Sequence, residues 1–305
     1  MKKLLSICLF TLLAIAALAQ DITLLFDNDV HCAVDGYAKV AALRRETPKD
    51  LTVLISAGDF LSGNSIGTLD QGNKIIEIMN SVKYDIVVPG NHEFDYGVDV
   101  LGQRFAELDA KALCLNFCKE GKTLLSASTV REYGNRRVAF IGITTPTLIQ
   151  HSRPAYFMNE NKKFVYDFGG SRIVDMLQEK VNDIRREGVD FIVLIAHLGM
   201  EPDQFGISTQ ELLKQTSGID IVIDGHSHDV VNSRLPNING EDVLVMQTGT
   251  GFSNIGRLTI REDGTFRPEL INLKDLKDIH KPTQEIIDAA KKDLQRQLNR
   301  KIGAS

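Results

Sequence analysis

Five short polar clusters carry most of the chemistry available to this chain: Asp29-Val30-His31, Gly58-Asp59, Gly90-Asn91-His92-Glu93-Phe94-Asp95, Ala196-His197 and Gly225-His226-Ser227-His228. Each follows an apolar, strand-like run, and together they hold five of the seven histidines. Asp29, Asp59 and Asn91 offer oxygen ligands; His31, His197, His226 and His228 offer nitrogen. One shared carboxylate turns these seven ligands into two four-contact metal sites with positions left for water and substrate. A mixed oxygen and nitrogen set without thiolate fits Zn²⁺, Mn²⁺, Fe²⁺ or Co²⁺. Two such ions about 3.5–4 Å apart clamp the attacking and leaving oxygens of an in-line displacement, and a water between them loses a proton near neutral pH. Taken singly the clusters say little, because a lone His-x-His is usually incidental and a lone histidine usually structural. Their combination carries the reading.

His92 is left over. Asp95, three residues on, can orient its ring and favour the protonated form. A protonated His92 would stabilise charge on a phosphoryl oxygen or protonate a leaving alkoxide. Asp95 can equally cap the helix that follows. Glu93 and Phe94 receive no role.

The clusters need a frame, and the periodicity supplies one. Apolar runs at 22–26, 51–56, 85–88, 111–116, 138–142, 191–196, 219–223, 243–247, 255–261 and 270–273 read as strands, with amphipathic helices at 38–45, 74–81, 98–110, 170–187 and 209–215. This alternation implies an α/β architecture, in which sites form at the carboxyl ends of strands. The final helix, 282–302, places Ile287, Ala290, Leu294 and Leu298 on one stripe. It reads either as a helix packed on the domain or as a connector to something outside it.

The first nineteen residues have the pattern of a secretory signal: Lys2 and Lys3, an apolar stretch from Leu4, then Ala17-Leu18-Ala19. The apolar stretch is short for a membrane anchor and lacks a charged far flank. The expected division is a signal peptide at 1–19, a catalytic domain at 20–280 and a connector-like helix at 281–305, in a periplasmic or secreted protein without a membrane span. Cleavage leaves 33 basic residues of the original 35 against 40 acids, a net charge of −7. An acidic exported protein is a poor candidate for non-specific nucleic-acid binding, and acid gathered at a site suits multivalent cations. Cys32, Cys114 and Cys118 remain after cleavage. Three is too few for a disulfide framework, so buried thiols are expected.

At these residues the chain resembles the metallophosphoesterase (calcineurin-like) superfamily, and within it the catalytic domain of the bacterial 5′-nucleotidase and UDP-sugar hydrolase family. The resemblance rests on Asn28-Asp29-Val30-His31, Ala57-Gly58-Asp59, Gly90–Gly97 (GNHEFDYG), Ala196-His197 and Asp224–His228 (DGHSH), in family order. It implies a four-layer fold, with two mixed β-sheets packed face to face and helices outside. It implies two divalent metal ions bridged by Asp59, one completed by Asp29, His31 and His228, the other by Asn91, His197 and His226. His92 and Asp95 match the family's catalytic dyad. The sequence departs from the pattern at Asp27, Cys32 and Ser62. None of these removes a ligand, and Asp27 is expected to add negative charge near the site.

Longer relatives carry a C-terminal domain that holds the nucleoside, joined by a helix that 282–303 resembles. The expectation is a phosphohydrolase acting on small phosphoesters, chiefly nucleotide phosphomonoesters, through a metal-bridged hydroxide. A separately encoded nucleotidase domain is a candidate partner; its docking predicts an exposed apolar stripe on the last helix. Two alternatives stay open: a phosphodiesterase or nucleotide-sugar pyrophosphatase on the same site, and a non-catalytic subunit of a split nucleotidase.

Overall fold

Near-continuous apolar runs mark strands buried on both faces, and such strands form parallel sheets covered on both sides. The computed structural model, which describes residues 20–202 and 206–302, has two sheets of this kind. The first runs Phe266–Asn272, Asn254–Ile260, Ile22–Asp27, Thr52–Ser56, Ile86–Val87 and Lys111–Ala112. Its last four strands are parallel and its first three antiparallel. The second runs Val230–Pro236, Asp242–Thr248, Ile221–Ile223, Phe191–His197, Arg136–Thr144 and Ser128–Tyr133. Its four inner strands are parallel, with an antiparallel strand at each edge.

The two sheets pack face to face. Leu24, Phe26, Val53 and Ile55 from the first meet Phe140, Val193, Ile195 and Ile223 from the second, all buried in one core. A second core lies between the first sheet and the helices Tyr37–Arg45, Asn73–Val82 and Lys281–Ile302. A third lies between the second sheet and the helices Ile173–Arg186 and Thr209–Leu213. The layers are therefore helix, sheet, sheet, helix, as the resemblance implies.

Several expected elements are shorter in the structure. The helix expected at 98–110 spans Val98–Glu107. The strand expected at 111–116 is regular only over Lys111–Ala112; Leu113 adds a single bridge to Ser126, and beyond it the buried Asn116 amide donates to the carbonyls of Thr144 and Phe168. The helix expected from 170 begins as a tight turn over Gly170–Arg172, because Gly169 and Gly170 both take positive φ. Two edge strands, Ser128–Tyr133 and Val230–Pro236, have no apolar run, since an edge buries little of either face. A three-stranded sheet of two-residue strands, Lys122–Thr123, Cys118–Lys119 and Tyr166–Asp167, is too short to read from pattern.

The last helix packs on its own domain. Thr283, Ile287 and Ala290 are buried, and Ile286 and Leu294 pack against the same core. Ser81 and Thr283 share a hydroxyl hydrogen bond of 2.7 Å, and the His280 amide donates to the Ala38 carbonyl. Of the stripe that a docking domain would need exposed, Ile287, Ala290 and Leu294 are thus turned inward. Cys32, Cys114 and Cys118 are free and buried. No helix among the described residues is long and apolar enough to cross a membrane. The expected signal segment, 1–19, lies outside the described residues.

If the helix packs as described, Ile287→Ala lowers the unfolding free energy by about 2–5 kcal/mol in urea titration. A change near zero would show that the helix stands free in solution.

Candidate metal and catalytic site

Sheet packing brings the carboxyl ends of the parallel strands of both sheets to one edge of the molecule. Ile22–Asp27 delivers Asp29 and His31, Thr52–Ser56 delivers Asp59, and Ile86–Val87 delivers Asn91. From the other sheet, Phe191–His197 ends on His197, and Ile221–Ile223 leads into His226 and His228. All seven residues expected as ligands converge there. Five of them, Asp29, His31, Asp59, His226 and His228, hold positive φ between 47° and 83°. Non-glycine residues rarely adopt this region, and such strain collects where surrounding contacts fix a functional geometry. Two glycines are required by close approach. A β-carbon on Gly90 would stand 2.2 Å from Asp59 Oδ1, and one on Gly58, at φ +94°, would stand 2.5 Å from the Gly90 amide.

The donors form two neighbouring groups. In the first, His31 Nε2 and His228 Nε2 are 3.0 Å apart, and they lie 3.8 and 3.5 Å from Asp29 Oδ1. In the second, Asn91 Oδ1 lies 2.8 Å from His226 Nδ1 and 3.3 Å from His197 Nε2, and His197 Nε2 is 3.1 Å from Asp59 Oδ2. That same Asp59 oxygen is 3.9 Å from His31 Nε2, so Asp59 stands between the groups.

Metal chemistry fits this arrangement on one observation in particular. Asp29 Oδ1 is buried without a hydrogen-bond donor, yet the Nε2 atoms of His31, His197 and His228 surround it at 3.5–3.9 Å. A lone carboxylate oxygen ringed by imidazole nitrogens is what a cation would complete. His197 adds a second sign. Its Nδ1 lies 2.7 Å from the Ala57 carbonyl, which can only accept, so Nδ1 carries a proton and Nε2 is the nitrogen turned inward, where a cation would take the place of a proton.

The field of the site draws positive charge. Burial lowers the His197 imidazole, but the Asp59 carboxylate beside it and Asp29 outweigh this and lift it to about 10. Burial alone would raise Asp59, yet His197 holds it well below the usual carboxylate range. Asp29 raises His228 through their contact, whereas burial lowers His31. These are protons that a bound cation would displace.

His92 and Asp95 sit beside this centre. His92 Nδ1 and Asp95 Oδ2 are 2.8 Å apart, and this hydrogen bond is the main reason the imidazole rises to about 9. The Ser62 hydroxyl donates to the same Asp95 oxygen. The His92 amide donates to Asp59 Oδ1 at 2.9 Å, which ties the pair to the metal-side carboxylate. One nitrogen of His92 also lies close enough to Asp59 and His31 to join a ligand group. Asp95 closes a turn of the chain, Asp95 N to His92 O, and its side chain is not the N-cap of the helix Val98–Glu107, which Gly97 starts.

Three further residues shape the site though their types and spacing assign them no role. Glu93 is 1% exposed, and its carboxylate accepts four backbone N–H groups: Phe60 and Leu61 on Oε1 at 2.8 and 2.9 Å, Asp59 and Gly90 on Oε2 at 2.7 and 2.6 Å. Burial and the Asp59 charge push its carboxyl up to about 7, against the pull of these amides. With every contact a donor, the ionised form is the one that fits. Asp224 accepts from the amides of Leu198, Gly199 and Gly225, the Thr209 hydroxyl and the Gln247 amide. Asn28 donates to Asp29 Oδ2 at 2.7 Å and accepts from Thr248. Asp27, expected to add charge at the site, is buried against the Tyr84 hydroxyl, and burial pushes its carboxyl up to about 7.

Comparison with known proteins gives a consistent picture. The family profile described as calcineurin-like phosphoesterase matches residues 22–230. The trifunctional nucleotide phosphoesterase YfkN of Bacillus subtilis is 27% identical over 93% of this chain and 21% of its own length. The venom 5′-nucleotidase of Crotalus adamanteus is 25% identical over 73% of this chain and 40% of its own. The chain therefore spans about a fifth to two fifths of these relatives. Among solved structures, a calcineurin-like phosphoesterase structure of YfkN superposes with a TM-score of 0.74, at 22% identity, over 92% of this chain and 99% of that one. A 5′-nucleotidase precursor from Thermus thermophilus gives 0.75, at 21% identity, over 90% and 59%. At such identities the superpositions establish the fold.

Glu93→Gln tests the four-amide contact directly. An amide keeps the shape but turns an NH₂ toward two N–H donors, at about 1–3 kcal/mol for each donor left unpaired. Urea unfolding of the metal-free protein should show that loss. A variant within about 0.5 kcal/mol of the parent would remove Glu93 from its structural role.

Proposed function

This chain belongs to the calcineurin-like phosphoesterase family, and we propose that it is a two-metal phosphohydrolase acting on nucleotide phosphoesters, chiefly 5′-nucleotides. The observation that carries this reading is the unpartnered Asp29 Oδ1 among three imidazoles, with Asp59 between that group and a second one. In this reading Asp29, His31 and His228 would hold one ion and Asn91, His197 and His226 the other, with Asp59 available to both. Two divalent ions of the Mn, Zn, Fe or Co class would supply Lewis-acid polarisation of the phosphoryl oxygens and an activated water.

The chain's own groups do the remaining work. Glu93 and Asp224 fix the loops from which the ligands project. Asp95 holds His92 through Nδ1, which leaves Nε2 to donate a proton to the departing oxygen. Ser62 restrains Asp95 in turn. The nucleotide preference draws support from the relatives named as nucleotidases. The secretory pattern of residues 1–19 supports export, with 20–280 as the catalytic domain and the helix Lys281–Ile302 packed against it. The inward-turned apolar stripe of that helix weighs against a partner domain docking there.

Three measurements test the reading. Mn²⁺ or Zn²⁺ at about 100 times its Kd should stabilise the protein by about 2.7 kcal/mol, and Asp59→Ala should lose most of that gain. Melting indifferent to all four metals would sink the metal assignment. Turnover of p-nitrophenyl phosphate with Mn²⁺ should vanish with chelator. Silence with every metal would favour a non-catalytic subunit, and preference for the bis ester a phosphodiesterase. Finally, His92→Ala should lower kcat on a 5′-nucleotide by about 10²–10⁴-fold. The same change should matter far less for p-nitrophenyl phosphate, whose phenolate leaves without a proton. Equal losses on both would remove His92 as the proton donor.

A further inference from the structure

Two cavities share Tyr96 as a wall, and Asp95 lines the first of them. The first, about 500 Å³, runs from Ser62 and Asp95 past Ser65 and Thr68 to Ser152 and Arg153. The second, about 610 Å³, is bounded by Gly97, Lys119, Tyr156 and Tyr166. None of the seven metal-side residues lines either one.

Their linings differ in kind. The first is rich in hydroxyls and holds one guanidinium, Arg153, with the Asn64 amide and the Asp95 carboxylate also in its lining. Arg44, Arg104, Arg131, Arg172 and Arg185 each meet a carboxylate. Among the described residues none pairs with Arg153; its contacts are with Tyr156, Nη1 to the phenol oxygen at 3.4 Å and the guanidinium 5.9 Å from the ring centroid. Three tyrosines, Tyr96, Tyr156 and Tyr166, line the second cavity, together with aliphatic side chains and the charged Asp99, Lys119 and Glu120. Tyr156 packs over Gly97, its nearest ring atom 3.3 Å from where a β-carbon would stand, so the GNHEFDYG segment itself seats the ring. Tyr166 stacks on Phe117, with the Lys119 amine 5.1 Å from the ring centroid.

We propose that these cavities form a leaving-group subsite built within this domain. It rests on the phosphohydrolase reading above. The order is informative: cationic and hydroxyl-rich next to Asp95, aromatic beyond Tyr96. That sequence fits a leaving group whose hydroxylated, anionic part lies near the scissile bond and whose planar ring lies farther out. A nucleoside carrying one more phosphate has this form. Hydrolysis breaks the terminal P–O bond; water gives its oxygen to the released phosphate, and the bridging oxygen departs with the nucleotide. Arg153 pairs the retained phosphate, and Tyr156 supports the base.

Arg153 is exposed and Tyr156 half-buried, so both tolerate truncation. The test compares p-nitrophenyl phosphate, ribose 5-phosphate, a nucleoside monophosphate and a nucleoside diphosphate in the parent, Arg153→Ala and Tyr156→Ala. Arg153→Ala should reduce the ratio of kcat/KM for the diphosphate to that for p-nitrophenyl phosphate about tenfold. Tyr156→Ala should reduce the ratio of either nucleotide to ribose 5-phosphate. Ratios unchanged in both variants overturn the subsite. If the parent hydrolyses none of the four, the phosphohydrolase reading fails instead. Calorimetric binding of a methylene-bridged diphosphate then decides the subsite alone: about tenfold weaker binding to Arg153→Ala supports it, and equal binding overturns it.

Discussion

The site depends on one buried carboxylate accepting four backbone amides. Glu93 joins the loop after Thr52–Ser56 to the loop after Ile86–Val87, through Asp59, Phe60 and Leu61 on one side and Gly90 on the other. These amides lie in irregular backbone with no strand partner to satisfy them. Buried N–H groups must find acceptors, and one ionised side chain serves four at once. Asp59 and Asn91, on which both candidate metal groups depend, are set by that contact. Such a bond also explains why the loops pack so closely that neither Gly58 nor Gly90 has room for a β-carbon.

The same logic holds on the opposite sheet. Asp224 gathers the amides of Leu198, Gly199 and Gly225, and so fixes the loops that carry His197 and His226. Asn28 does a smaller version of this, orienting Asp29 while tied to Thr248 and Gly249. Backbone held in the left-handed region costs of order 1–3 kcal/mol per residue and persists only where its surroundings over-determine it. Five candidate ligands sit in that region. The amide-binding side chains are what over-determine them, so the strained loops and the rigid carboxylates are two halves of one device.

This division explains what the sequence discloses and what it hides. His31, His197, His226 and His228 stand out because imidazole and carboxylate at strand ends are rare and chemically distinctive. The inner strands stand out because burial on both faces demands an apolar run. Glu93 lies in the same motif as Asn91 and His92, but three of its four amides lie some thirty residues away, and no local spacing records that. Asp224 is hidden for the same reason. Edge strands such as Ser128–Tyr133 and Val230–Pro236 bury too little to show a pattern. The cavity walls come from 62–68, 96–97, 119 and 152–166, which the fold alone brings together.

The count of donors then separates acids that composition treats alike. Asp29, Asp59, Glu93 and Asp224 are each at most 1% exposed. Burying an anion is costly unless its lone pairs are matched. Glu93 has four N–H donors, and Asp224 has five contacts from amides and a hydroxyl. Both are satisfied by the protein alone and serve as scaffold. Asp29 has donors on Oδ2 only, and Asp59 accepts one amide on Oδ1 while Oδ2 faces imidazoles. Among the described residues, the ion-pair contacts of these two come from histidines, with no lysine or arginine among them. The donor-free Asp29 Oδ1 and the imidazole-facing Asp59 Oδ2 therefore open toward the same place, where the proposed cation would lie. Carboxylates satisfied by backbone and hydroxyl donors hold the loops, and those that face the histidines are the ones the proposed metals would use.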